Sequence, residues 1–187
     1  MQEGRDLKGP MPNVVSPARK GTVDILMESS AISAHGRRKL VIFTDGAARG
    51  NPGPSASGYQ VFENGKLIKK EAFYNGIATN NTAEYKAIVA ALEWCVGNVS
   101  GARDTQITLN SDSELAVRQL NGDYKIKSPL LKTLHRKAKE LASALKNVEF
   151  ANLRRSNRYI SAVDRSLNAL LDNYAGGQQR IFKKPST

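Results

Sequence analysis

Val41-Ile-Phe-Thr-Asp45-Gly-Ala-Ala-Arg-Gly50-Asn-Pro-Gly53 is the stretch from which the fold is read. It has the form of a buried strand that ends on an acid and runs into a glycine-rich turn. Val41, Phe43 and Asp45 share one face of a period-two strand, so the carboxylate continues an apolar row. Gly46, Gly50 and Gly53 allow a tight turn and a close approach of the backbone to a ligand. An acid at the end of an apolar strand is costly unless it is paired or metal-bound, so the remaining chain is expected to supply its partners.

Strand one is predicted over about 39–45. A second strand, about 57–63, meets a third, about 66–74, through Asn64-Gly65, a strong hairpin signal. Asn80-Asn81-Thr82 is placed to cap a helix, on which Tyr85, Ile88, Val89, Leu92, Cys95 and Val96 form one apolar stripe. Strand four is expected at 106–110 and a short helix at about 113–120, stopped by Gly122. Ser128-Pro129 reads as an N-cap followed by proline at the first helical position. The helix behind it carries Leu130, Leu131, Leu134, Ala138, Leu141, Ala142 and Leu145 on one face and Lys132, Arg136, Lys137 and Lys139 on another. Strand five is expected at about 147–153 and a last helix at about 161–174, ended by Gly176-Gly177. The order β-β-β-α-β-α-α-β-α implies an α/β domain over 39–175. Its mixed sheet begins with three hairpin-linked antiparallel strands, continues with parallel ones, and is flanked by helices. Residues 1–38, with three prolines and no sustained periodicity, are expected to be a disordered arm, and 176–187 a basic tail.

The 187 residues carry a formal net charge of +11. The arm holds six basic and four acidic residues, which leaves +9 on residues 39–187. Such a surplus suits a polyanionic partner, most often nucleic acid, although a solvated basic surface gives the same composition. Cys95 is the single cysteine, which excludes an internal disulfide framework and suits a reducing, cytoplasmic setting. No apolar run approaches the roughly 20 residues of a membrane span, and no signal peptide or membrane partner is expected.

Four acids fall where this order of elements would bring them together. Asp45 ends strand one, Glu84 opens the first helix, Asp112 follows strand four, and Asp164 opens the last helix. Taken singly, an acid in a first helical turn is explained by the macrodipole. Taken together, converging carboxylates repel one another and need cations, and all-oxygen ligation favours Mg²⁺ or Mn²⁺. Two such ions about 3.5–4 Å apart can activate water and stabilise the leaving oxygen of a phosphodiester.

The chain resembles a type 1 ribonuclease H over residues 39 to about 174. The resemblance rests on Thr44-Asp-Gly46 with Gly50-Asn-Pro-Gly53, on Thr79-Asn-Asn-Thr-Ala-Glu84, and on Asn110-Ser-Asp-Ser-Glu114. Asn121-Gly-Asp-Tyr-Lys-Ile-Lys-Ser-Pro129 fits the compact archaeal-like and bacterial members, which lack the basic handle insertion. The resemblance implies that Asp45, Glu84, Asp112 and Asp164 are the catalytic, metal-binding acids. It implies cleavage of the RNA strand of RNA–DNA hybrids to 5′-phosphate and 3′-hydroxyl ends, with double-stranded RNA as a further candidate partner. Asn51 and Thr79 match positions that contact the DNA phosphate, and Asn80 and Asn81, with the Gly46 region, match positions near the RNA sugars, although Asn80 and Asn81 also read as a cap and a turn. Lys125, Lys127, Lys132 and Arg136, with Lys137, form the densest basic set and are candidate backbone contacts. A monomer is expected.

The pattern departs from the family in two places. The loop before the last acid, Leu153 to Asp164, lacks the usual histidine; Arg154 or Arg155 is the candidate to take over part of its role. Glu114 stands where many relatives carry glutamine, and either joins the acids or faces solvent. The competing fourth acid, Asp172, lies too far along its helix to reach the strand ends. A non-catalytic hybrid-binding or double-stranded-RNA-binding module, and a DNA-processing enzyme of the same architecture, are the alternatives.

Overall fold

A computed structural model describes residues 38–101 and 104–181, with side chains to residue 175; the arm up to residue 37 and the last six residues lie outside the described residues. The elements are β1 (Lys39–Ala48), β2 (Gly53–Glu63), β3 (Lys66–Ala78), α1 (Asn80–Asn98), β4 (Gln106–Ser111), α2 (Glu114–Asn121), α3 (Pro129–Leu145), β5 (Val148–Asn152) and α4 (Arg158–Ile181). They form one five-stranded sheet in the order β3-β2-β1-β4-β5. β1, β2 and β3 are antiparallel, while β4 runs parallel to β1 and β5 parallel to β4. The mixed sheet follows from the connections: Asn64-Gly65, both at positive φ, permits a two-residue hairpin, whereas parallel neighbours need helical crossovers.

Alternation along β1 sorts the core into two layers. Leu40 and Ile42 join Tyr85, Ile88, Leu92, Ile107, Leu109, Leu120 and Leu145 beneath α1, α2 and α3. Phe43, with Val41 packed beside it, faces Ile160, Val163, Leu167 and Leu171 of α4. Phe43 also stacks on Tyr159 at 4.5 Å between ring centroids. β2 is built of small residues where α4 crosses it. A Cβ at Gly58 would stand 2.9 Å from Leu167 Cδ2 and 3.3 Å from Val163 Cγ1, so a bare backbone there lets α4 lie close to the sheet.

Several boundaries differ from expectation. β1, β2 and β3 extend to residues 48, 53 and 78, because backbone pairing through Ala48↔Ser55 and Gly53↔Ala78 carries the ladder beyond the apolar runs. The cap of α1 is Thr79, whose Oγ1 accepts from the Thr82 N–H at 3.2 Å, rather than a residue of the Asn80–Thr82 run. Val96 is exposed, one step off the stripe. α4 begins three residues early and passes through Gly176-Gly177 to Ile181. Glycines weaken a helix by about 1 kcal/mol each relative to alanine but do not prohibit it. The predicted tail therefore begins inside a helix.

Candidate active site

The register of the central strands brings the acids together. The last β1–β4 pair is Thr44↔Ser111, so the next residue on each strand is an acid, Asp45 and Asp112. Asn110, buried, fastens this end: its Nδ2 donates to the Ile42 carbonyl at 3.0 Å, and Thr44 Oγ1 donates to the Asn110 carbonyl at 3.4 Å. Glu84 arrives from α1, whose opening turns lie directly over β1. A Cβ at Gly46 would come within 2.2 Å of the Glu84 nitrogen, so only glycine admits this approach. Ser57 Oγ, on β2, donates to the Ala83 carbonyl at 2.6 Å and accepts from Asn75 Nδ2 at 2.7 Å. These buried serine contacts were missed in reading the sequence; the signal was the run Ser55-Ala-Ser57-Gly58 of small polar residues inside an otherwise apolar strand.

Asp45, Glu84 and Asp112 each offer a carboxylate oxygen within 4.8 Å of the others. Asp45 and Glu84 are 2% and 4% exposed. Asp45 Oδ2, Glu84 Oε2 and Asp112 Oδ1 are buried without a hydrogen-bond partner. Burial is the largest cause that raises all three pKa values: Asp45 is pushed up to about 7, Glu84 well above its ordinary value, and Asp112 upward. Repulsion adds to this, from Asp112 and Asp164 on Asp45 and from Asp45 and Asp112 on Glu84, while Arg155 acts in the opposite sense on all three. Three orphaned oxygens converging in a buried position are a fit for a hard divalent cation.

Glu84 lies in the second turn of α1, and Asp164 in the second turn of α4; neither first turn holds an acid. The macrodipole acts mainly over the first turn, so it does not account for these positions. Asp164 stands beside the three-acid group rather than in it. Its Oδ1 accepts from Arg155 Nη2 at 2.8 Å and its Oδ2 from Asn168 Nδ2 at 3.0 Å. Arg155 is thus the arginine of the loop that meets the acids. Asn168, one turn beyond Asp164, carried no signal in the sequence, because an exposed helical asparagine has no distinctive pattern.

The other candidates divide. Asn51 Oδ1 accepts from the Asn80 N–H at 3.1 Å, which joins the glycine-rich turn to the start of α1, next to Thr79; Asn80 and Asn81 are exposed. Gly46 is buried against α1. Glu114 turns away from the acids to pair with Arg118 at 3.0 Å. Asp172 pairs with Arg49. Lys125, Lys127 and Lys132 are exposed; Arg136 is engaged by Glu140 at 3.9 Å, and Lys137 by Glu93 across to α1. Lys137 is therefore spoken for by a contact between helices. His135 sits with Nε2 3.2 Å from the Gln119 carbonyl, away from the acids.

An α/β sheet of this order, with acids at adjoining ends of two central parallel strands and a third delivered by α1, defines a buried carboxylate centre on a mixed-sheet scaffold, with a donor set that fits a cation. The chain belongs to the RNase H family, whose family model matches residues 37–164. It is 34% identical over 132 residues to a ribonuclease HI of Halobacterium salinarum, covering 70% of this chain and 63% of that protein. It is 35% identical over 137 residues to a bifunctional protein of Mycobacterium tuberculosis, covering 72% of this chain. The chain spans little more than a third, 36%, of that mycobacterial relative's length. Among solved structures, RNase H1 of H. salinarum matches with a TM-score of 0.66 at 32% identity, over 72% of this chain and 98% of that one. LC11-RNase H1 in complex with an RNA/DNA hybrid matches with a TM-score of 0.68 at 34% identity, over 73% of this chain and 99% of that one. The seven residues 122–128 that join α2 to α3 leave no room for a long basic insertion.

Proposed function

We infer that the protein is a divalent-cation-dependent endoribonuclease that cleaves the RNA strand of RNA–DNA hybrids, leaving 5′-phosphate and 3′-hydroxyl ends. The observation that carries this reading is the convergence of the partnerless buried oxygens of Asp45, Glu84 and Asp112 on a scaffold of the RNase H family. Mg²⁺ or Mn²⁺ at these oxygens, two ions with Asp164 completing the set, would supply Lewis-acid activation of water and charge stabilisation at the phosphodiester. The chain's own part is electrostatic and positional. Asp45, Glu84 and Asp112 present oxygens that the fold has already stripped of water, so little reorganisation accompanies cation binding. Arg155, paired with Asp164, offsets part of the carboxylate repulsion and holds Asp164 at the rim. Asn51 and Thr79, joined through the start of α1, are the proposed contacts for the DNA phosphate. Asn80 and Asn81 are the proposed contacts near the RNA sugar, whose 2′-hydroxyl distinguishes RNA from DNA.

A labelled hybrid, an RNA duplex, a DNA duplex and a branched DNA, each with Mg²⁺, Mn²⁺ or EDTA, test the reading. Cation-dependent cutting confined to RNA strands is expected, and Asp45→Asn should abolish cutting while hybrid binding largely survives. Cutting by Asp45→Asn would refute the assignment. Hybrid binding without cutting under any divalent cation would establish the non-catalytic module instead.

A further inference from the structure

Lys132, Arg136, Lys139 and Ser143 recur at helical spacing on α3, and Lys146 follows at its C-cap. At 100° per residue the four helical positions lie within one narrow stripe, separate from the core face of Leu131, Ala138, Ala142 and Leu145. All five are exposed. From Lys132 to Lys146 the stripe runs along most of α3, about 21 Å at the helical rise per residue. Its upper end adjoins the segment carrying Lys125 and Lys127. Its lower end reaches the foot of the sheet opposite the acids, where Asn147 accepts the Ile107 N–H at 2.9 Å.

Along its lower half the stripe borders a groove of about 520 Å³ between α3, the end of α2 and the free edge of β5. Asn121, Lys139, Ser143, Lys146, Glu149 and Phe150 line it. A second hollow of about 330 Å³ shares Lys146 and Glu149 and continues the groove to Gln106. Lys139 is steadied at the wall by donating to the Leu120 carbonyl at 3.2 Å, and Asn121 Nδ2 donates to the Phe150 carbonyl at 3.2 Å. The edge of β5 is thereby closed to an added strand at that point. Two lysines and a hydroxyl against one acid favour a phosphate chain over a peptide.

We propose that the Lys139–Ser143–Lys146 groove is a second nucleic-acid subsite that holds the phosphate backbone of the hybrid beyond the stretch seated at the carboxylates. This rests on the nuclease reading and deepens it. The stripe is a track from the basic loop to the groove, and it supplies grip in a chain whose α2–α3 connection is only seven residues long.

The test compares full-length protein on a short hybrid of about 10 base pairs and a long one of about 30, chosen because a track of about 21 Å adds roughly six base-pair steps to those seated at the acids. Binding is measured in the Asp45→Asn background across a salt series. Ser143→Glu and, separately, Lys146→Gln should weaken the long hybrid at least fivefold. Lys146→Gln should also lower its salt slope by about 1, and both variants should leave the short hybrid within twofold. Neither position is in the core, and unchanged melting temperatures check the fold. Equal weakening of both hybrids, or of neither, overturns the subsite while leaving the nuclease reading intact. Failure of the unsubstituted protein to bind or cut either hybrid sinks both.

Discussion

At Asp45 sequence and environment conflict sharply. An aspartate at the end of an apolar strand is held in a site that pushes its pKa up to about 7, first by burial and then by repulsion from Asp112 and Asp164. Its folded pKa lies above its unfolded one, so in cation-free protein its contribution to stability is full at acid pH. That contribution is lost as pH rises from the ordinary carboxylate range through about 7. Cation-free protein should therefore lose stability as pH rises from about 4 to about 7, and Asp45→Asn should be the more stable at the upper value, by roughly 1–3 kcal/mol. Urea unfolding in EDTA at both pH values checks this; parallel profiles for the two proteins would contradict it. Gly46 is the second such residue. Gly46→Ala must displace the backbone at Ala83 and Glu84, which predicts a loss of about 1–3 kcal/mol and a fall in kcat larger than that loss explains at a temperature where the variant stays folded.

Among the elements, the loop between β5 and α4 governs how much negative charge the site exposes. Arg155 lowers the pKa values of Asp45, Glu84 and Asp112 and pairs with Asp164. It occupies, electrostatically, part of the place a cation would take. Arg155→Met should tighten divalent-cation binding several-fold in isothermal titration; unchanged or weaker binding would show that the guanidinium does not compete. The elements themselves were legible where local chemistry is strong. Asn64-Gly65, Ser128-Pro129 and the acid-ended strand of residues 41–45 each force one reading. Their ends were less legible, because β1, β2 and β3 are prolonged by cross-strand pairing through Ala48, Gly53 and Ala78. α4 likewise runs through two glycines, a local penalty that neighbouring helical turns outweigh.

In the molecule as a whole, the two layers on the sheet exist partly to aim three oxygens at one point. A cation that binds only the folded arrangement stabilises it by mass action, by about 2.7 kcal/mol at a hundredfold excess over its dissociation constant. Mg²⁺ or Mn²⁺ should raise the melting temperature of the unsubstituted protein, and much less that of Asp45→Asn; equal shifts would mean that the ions bind elsewhere. The order of strands and helices, the separation of apolar faces and the identity of the acids could be read along the chain, since periodicity, caps and turn residues act over a few neighbours. How closely each acid approaches the others, with three in one group and Asp164 beside it, could not. That depends on the Thr44↔Ser111 register, on the bare Gly46 backbone beneath α1, and on the Arg155 contact that keeps Asp164 at the rim. Each joins residues distant in sequence, so only packing in three dimensions fixes them.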